Sequence, residues 1–176
     1  MPQVAESAKP TKRDVAFLDV QVMAGRATPA GRLAQSSFFA WPYDLSVERR
    51  QRVVVYVERR GDLLVFEHRD HPEARTQVPA GGVEPDEDVR AAAAREVAEE
   101  TGVILLAEPM LLGTHDHLDG LGQPATSHFF RVDAPPGLPD QWEHVVSGRG
   151  EDADLVFLCR FDTDPALWPV QAVFRV

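Results

Sequence analysis

The sequence contains very little cysteine. Cys159 is the one cysteine in 176 residues, so a disulfide framework within the chain is excluded. A chain with a single thiol fits a reducing compartment. Cys159 lies in the apolar run 155–159, and a free cysteine in such a run usually behaves as a small core residue. We therefore expect Cys159 to be a buried structural thiol.

Long apolar runs are also missing. No stretch approaches the ~18 consecutive apolar residues that a membrane helix needs. Residues 1–13 are polar and lack the apolar core of a secretory signal. The sequence therefore predicts a cytoplasmic protein without a membrane partner.

Positive charge is scarce relative to negative charge. The chain has 18 Lys and Arg residues against 28 Asp and Glu residues, which gives a formal net charge of −10. Such a surface repels a phosphate backbone, which argues against nucleic acid as a partner. It would repel a small polyphosphate too, unless a cation lies between the two. The charge balance therefore favours a cation at any phosphate site.

The length fits one domain with a substantial core and a small extension. We expect a flexible tail over residues 1–13, an N-terminal extension over 14–50 and the main domain over 51–176. The extension contains apolar runs at 15–22 and 37–41. The hypothesis for this region is a small sheet that builds a homodimer contact.

The main domain alternates between strand and helix patterns. Strand-forming runs at 53–57 and 63–66 flank a hairpin turn, and residues 79–82 form a Gly-rich loop. Residues 88–101 are rich in Ala, Glu and Arg and predict a helix that ends at Gly102. Further strands are expected at 105–115, 127–132 and 154–161, with loops at 116–124 and 133–150. The sum is an α/β fold with a mixed sheet.

Three glutamates stand on one face of the predicted helix. Glu96, Glu99 and Glu100 are spaced i, i+3, i+4, so they repel one another and lie toward the unfavourable C-terminal end of the helix dipole. A cation would offset both costs, and Mg²⁺ is typically held by one or two carboxylates together with substrate phosphates and water. The spacing alone also fits a solvated, Glu-rich helix face.

The stretch 81–103 reads GGVEPDEDVRAAAAREVAEETGV and resembles the Nudix box, G-x5-E-x7-R-E-U-x-E-E-x-G-U, in which U is a bulky aliphatic residue. The specified positions are filled by Gly81, Glu87, Arg95, Glu96, Val97, Glu99, Glu100, Gly102 and Val103. A looser resemblance to the Nudix hydrolase family runs from about residue 52 to 161. It does not cover residues 1–50.

The resemblance implies a Nudix-type α/β/α sandwich with a mixed β-sheet. It further implies a pyrophosphohydrolase that uses one to three Mg²⁺ or Mn²⁺ ions on a nucleoside di- or triphosphate or a nucleotide sugar. Carried over by position, Glu99 and Glu100 are metal ligands, Glu96 is a ligand or the base, and the carbonyl of Gly81 or Gly82 adds a ligand. Arg95 and Glu87 would pair and orient the carboxylates.

Several points stay open from the sequence. Members of the family often use one more acidic residue from outside the box, and Glu143 is our first choice ahead of Glu151 and Asp152. An exposed loop carboxylate is the alternative for each. His115 and His117 fit a substrate pocket better than a zinc site. A catalytically silent, nucleotide-binding sensor on the same fold is the alternative to an enzyme, and no substrate signature selects one nucleotide.

Overall fold

The computed structural model describes residues 49–148 and 152–175. Within them lie the strands β1 Arg50–Arg59, β2 Asp62–His68, β3 Ala80–Gly82, β4 Met110–Leu118, β5 Pro124–Asp133, β6 Gln141–Val145 and β7 Val156–Asp162. The helix α1 spans Val89–Thr101, and short 3-10 turns cover Pro72–Ala74 and Pro169–Gln171. The expected tail at 1–13, the runs at 15–22 and 37–41 and their dimer contact lie outside the described residues and stay predictions.

The described strands form one seven-stranded sheet in the order β4–β5–β1–β2–β7–β6, with β3 paired to β1. β1 is parallel to β5, and the other neighbours are antiparallel. The parallel pair requires a long crossover, which here contains β2, β3, α1 and β4. The predicted α/β fold with a mixed sheet is confirmed.

The hairpin β1–β2 opens beyond its turn. The turn residues Arg60 and Gly61 both have positive φ, at 56° and 95°, as a tight hairpin between right-twisted strands requires. Farther from the turn, the segment that leads into β3 enters between the two strands: Val55 N–H donates to Pro79 O at 2.8 Å, and Phe66 forms a bridge with Gln77. The Gly-rich stretch, predicted as a loop, is therefore partly a strand in the centre of the sheet.

The strand predictions were right in kind and wrong in some bounds. The first residues of the strand expected at 105–115 are irregular, and β4 begins at Met110 and continues into the loop expected at 116–124. The loop expected at 133–150 contains a five-residue strand, β6. β6 is short and has polar residues at most positions, so its composition does not predict a strand. It forms a strand because β7 provides the hydrogen-bonding partner.

One face of the sheet is covered by α1. Ala92, Ala93 and Val97 are fully buried there, in a cluster with alternate residues of β1. Their small size lets the helix axis approach the sheet closely. Cys159 lies in the same cluster, and burial raises the pKa of its thiol to about 12. The predicted structural role of Cys159 is thereby supported.

The opposite face is covered by the C-terminal segment. Tyr56 donates its hydroxyl to Gln171 O at 2.6 Å, and Phe174 packs on Phe129 with ring centroids 5.0 Å apart. In the part of the chain that the structure describes, α1 is the one α-helix, and none of that part is a helix of the length and apolarity that a membrane span requires. In the described residues, the C-terminal segment and its 3-10 turn therefore occupy the place of the second helical layer of the expected α/β/α sandwich.

Candidate active site

The ends of α1 are set by residues that its sequence supplies. The carboxylate of Asp88 accepts from the backbone N–H groups of Arg90 and Ala91, at 2.8 and 3.2 Å, and caps the N-terminus. Gly102 adopts a left-handed conformation with φ 74° and ends the helix. The glutamates of the box therefore occupy the last two turns of a helix whose length and register are fixed.

Arg95 connects the residues of the site, because each of its five N–H donors makes a hydrogen bond. Nε and Nη2 donate to the two carboxylate oxygens of Glu87 at 2.8 and 2.9 Å, and Nη2 also donates to Gly82 O at 2.9 Å. Nη1 donates to Glu96 Oε1 at 2.9 Å and to Glu99 Oε2 at 3.1 Å. The structure thus brings together the arginine and Glu87, as the family resemblance implied, and ties both to two helix carboxylates.

Glu96 and Glu100 are buried against the Gly-rich strand, each with 8% of its surface exposed. A Cβ atom added at Gly81 would overlap the Glu96 carboxylate, so any larger residue here would displace that carboxylate. Glu100 Oε2 accepts from the Ala80 N–H at 2.9 Å. Burial raises the pKa of Glu96, while the charge and hydrogen bond of Arg95 act in the opposite direction. Its ionised form is therefore only partly compensated by the surrounding protein.

The C-terminal turn of α1 is held by a segment that the sequence did not reveal. Trp142 Nε1 donates to Thr101 O at 2.8 Å, and His144 Nε2 and the Ser147 N–H both donate to Glu99 O at 3.0 Å. These donors satisfy carbonyls that a helix end leaves without partners. The alternation of Gln141 and Glu143 with the ring-bearing Trp142 and His144 was the signal that the sequence offered for this strand.

Glu143 is not brought to this group. Neighbouring side chains of a strand point to opposite faces, and Trp142 and His144 face α1. Glu143 turns away and lies 3.6 Å from Arg69, with 63% of its side chain exposed. Glu151 lies outside the described residues. The structure therefore offers no support for Glu143 as the additional acid, which stays a prediction from the sequence.

The oxygen atoms at this site suit a hard divalent cation as ligands. Glu96, Glu99 and Glu100 present carboxylate oxygens from one helix face, beside the backbone of Gly81, and Mg²⁺ favours such oxygens. Among the described residues, no three acidic, histidine or cysteine side chains are already arranged around one point. Arg95 bridges Glu96 and Glu99 instead, so part of their negative charge is neutralised by the protein itself.

Three arginines that sequence reasoning did not single out lie at the start of β1, with Arg49 directly before the strand and Arg50 and Arg52 within it. Arg50 and Arg52 share one face of the strand, and Arg52 is the cross-strand partner of Gly82. The Nη2 atom of Arg50 lies 3.8 Å from the position that a Cβ atom of Gly82 would occupy. The run Arg49-Arg-Gln-Arg52 in an otherwise acidic chain was the signal that could have found them.

The fold and the site together define an α/β protein with buried carboxylates on a helix that follows a Gly-rich strand. The family model of the NUDIX domain matches residues 48–169. The match covers more than half of the chain, so the chain belongs to the NUDIX domain family.

Similar proteins agree with this membership. An RNA pyrophosphohydrolase of Roseobacter denitrificans is 50% identical over 50 residues, which are 28% of this chain and 31% of that protein. RNA pyrophosphohydrolases of Dinoroseobacter shibae and Caulobacter vibrioides are 30% and 36% identical over 112 and 84 residues, or 63% and 48% of this chain. The chain spans 62% and 41% of those two proteins.

A solved structure shows the same fold. The crystal structure of a MutT NUDIX hydrolase from Burkholderia pseudomallei superposes with a TM-score of 0.52 at 23% identity, covering 72% of this chain and 95% of that one. The resemblance found in the box is therefore matched by the arrangement of the sheet and helix around it.

Proposed function

We propose that this chain is a metal-dependent pyrophosphohydrolase that cleaves the diphosphate linkage of a nucleoside diphosphate derivative by attack of water at phosphorus. The observation that carries the proposal is the buried Glu96 carboxylate, set against Gly81 and beside Glu99 and Glu100 on one helix face. The ion pair with Arg95 offsets the cost of burying the Glu96 carboxylate only in part, and a bound cation would offset the rest. Membership of the NUDIX domain family supports the same chemistry.

Glu96, Glu99 and Glu100 would hold Mg²⁺ or Mn²⁺, with the Gly81 carbonyl as a backbone ligand. A bound ion of this kind neutralises the diphosphate and lowers the pKa of a water molecule. Glu96 is also suited to accept the proton of the attacking water. Arg95 donates to Oε1, so Oε2 is the oxygen that would take the proton. Arg95 and Glu87 position these carboxylates through the hydrogen bonds described above.

The substrate class includes nucleoside di- and triphosphates and nucleotide sugars. The relatives named as RNA pyrophosphohydrolases add RNA to the candidates, although the net charge of −10 argues against tight binding of a long polyanion. In RNA, a diphosphate linkage occurs at a 5′ end that carries a di- or triphosphate. We therefore include a short RNA with a 5′-triphosphate in the substrate panel.

The test is hydrolysis of that panel in Mg²⁺ by the wild type and by the variants Glu99→Gln and Glu100→Gln. Each variant removes a carboxylate charge at nearly constant volume, and we expect kcat to fall about 10²- to 10⁴-fold. Glu108→Gln is the matched control, because Glu108 is exposed in the loop after α1. Retained activity in both site variants would contradict the proposed site. Metal-dependent nucleotide binding without turnover in the wild type would favour the sensor.

A further inference from the structure

Three aromatic rings form a cluster at the end of β2. Phe157 on β7 contacts two rings of that strand: its centroid lies 4.3 Å from the ring of Phe66 and 4.4 Å from the ring of His68. Phe66 and Phe157 are buried, with 2% and 0% of their surfaces exposed, whereas His68 is half-buried. His68 is therefore the ring at which this cluster reaches the solvent.

The cluster lies on the face of the sheet that carries α1. His68, Phe157 and His144 are cross-strand partners on β2, β7 and β6, so they form one row across three neighbouring strands. At the end of this row, His144 Nε2 donates to Glu99 O at 3.0 Å. Neighbouring strands lie about 4.8 Å apart, which places the backbone of His68 roughly 10 Å from that of His144. The row therefore connects the C-terminal turn of α1 to the ring of His68.

A second series of contacts connects His68 to the Gly-rich strand. The Gln77 Nε2 atom lies 3.4 Å from Nε2 of His68, and the backbone of Gln77 pairs with Phe66. Three residues later, the Ala80 N–H donates to the Glu100 carboxylate at 2.9 Å. Strand pairing and hydrogen bonds thus lead from His68 to the helix glutamates by two separate routes. His68 lies at the edge of the proposed active site.

We propose that the ring of His68, packed on Phe157, stacks on the base of the nucleotide substrate. This inference rests on the proposed function, because it takes the phosphates to bind at the helix glutamates. A nucleobase has a flat π-face that stacks on aromatic side chains whatever its hydrogen-bonding pattern. A ring that already packs on a buried phenylalanine loses little conformational freedom when the base binds. Stacking on His68 would favour nucleoside-bearing diphosphates over base-free ones without selecting one base.

The experiment compares two ligands by calorimetry in Mg²⁺: α,β-methylene ADP, which carries adenosine, and methylenediphosphonate, which has no base. A CH₂ group replaces the bridging oxygen in each, so the linkage is not hydrolysed. His68→Ala should raise the Kd of the nucleotide about 10-fold and leave the Kd of methylenediphosphonate unchanged. His68→Phe keeps an aromatic ring and should bind the nucleotide within about threefold of the wild type.

His71→Ala is the matched control, because His71 lies directly before the 3-10 turn and pairs with the exposed Glu73 at 3.2 Å. We expect it to bind both ligands as the wild type does. Urea unfolding shows whether each variant is folded, and His68→Leu, which fills the space without an aromatic ring, serves if His68→Ala unfolds.

Three results would overturn the inference. Equal weakening of both ligands by His68→Ala would show that His68 only supports the fold of the site. An unchanged Kd for the nucleotide would show that the base does not contact this ring. A wild type that does not prefer the nucleotide to methylenediphosphonate would show that the base contributes nothing to binding.

Hydrolysis kinetics separate this inference from the proposed function. If the wild type binds the nucleotide through His68 but hydrolyses nothing in the substrate panel, the hydrolase proposal fails and this one stands. Hydrolysis of a nucleotide with an unchanged KM in His68→Ala would overturn the role of His68 and leave the hydrolase proposal standing. A rise in KM with kcat retained would support both.

Discussion

The box at residues 81–103 and the segment at 141–148 both contact Glu99, but they do so in different ways. The box supplies the side chains: three glutamates, and the arginine that donates to the Glu99 carboxylate at 3.1 Å. The segment supplies hydrogen-bond donors to the backbone, through His144 and Ser147 on Glu99 O, each at 3.0 Å. The box thus carries the chemical groups, and the segment fixes the place of the helix end that bears them.

The two regions also differ in how glycine is used. Gly81 in the box leaves space for the Glu96 carboxylate, whereas Gly148 in the segment leaves space for the Glu99 carboxylate. Each glycine therefore faces one of the proposed ligands from a different part of the chain. The site is thus enclosed from two sides, one local in sequence and one distant.

Of the variants that compare the two regions, Gly81→Ala is expected to have the largest effect. Gly81→Ala would force the Glu96 carboxylate out of its position, and a displacement near 1 Å costs about 100-fold in rate. Gly82→Ala is the matched control, because its added Cβ would meet Arg50 Nη2 at an ordinary 3.8 Å. The hydrolysis rates of the two variants measure this difference. Equal losses in both would show that strand β3, rather than the space beside Glu96, is sensitive.

Gly148→Ala tests the other side of the site. The added Cβ would lie 2.8 Å from Glu99 Cδ, so we expect kcat to fall about 10-fold. Gly137→Ala is the control: both glycines have positive φ, at 109° and 85°, but no atom lies within 4 Å of a Cβ at Gly137 in the described residues. Both variants should lose similar stability from backbone strain. A similar loss of kcat in both would show that backbone strain, and not the contact with Glu99, causes the effect of Gly148→Ala.

Trp142→Phe tests whether the segment holds the helix end. The change keeps an aromatic ring and removes the N–H that donates to Thr101 O, so we expect the free energy of unfolding to fall by about 1 kcal/mol. Urea denaturation measures this, and kcat should fall slightly as the last turn loosens. Trp168→Phe loses a bond to Ala74 O far from α1, so its activity should stay at the wild-type value. An activity loss in that control would argue against a local effect.

The smallest effect is expected at Glu143. Its carboxylate faces away from α1 and is mostly exposed, so Glu143→Gln should change kcat/KM by less than about twofold. The steady-state assay used for the other variants measures this change. A loss of tenfold or more would restore the catalytic role that the sequence suggested and would show that the segment contributes a reacting group as well as hydrogen bonds.

Most of the box could be predicted from sequence because its contacts are local. The helix bounds and the Gly102 end follow from the local pattern, and the family resemblance implied the Arg95–Glu87 pair; these features all join residues within a few turns of one another. β6 could not be found in this way, since its polar residues become a strand only through pairing with β7.

The order of residues was enough to define the family, the helix and the identity of its carboxylates, because side-chain periodicity places residues 96, 99 and 100 on one face without reference to the rest of the chain. Folding was needed to show that Gly81 lies against the Glu96 carboxylate, that Gly148 lies against the Glu99 carboxylate and that Glu143 faces away from α1. These facts depend on strand pairing and on the packing of distant segments. The free energies of these contacts are set by burial and by interaction partners that no local sequence pattern encodes.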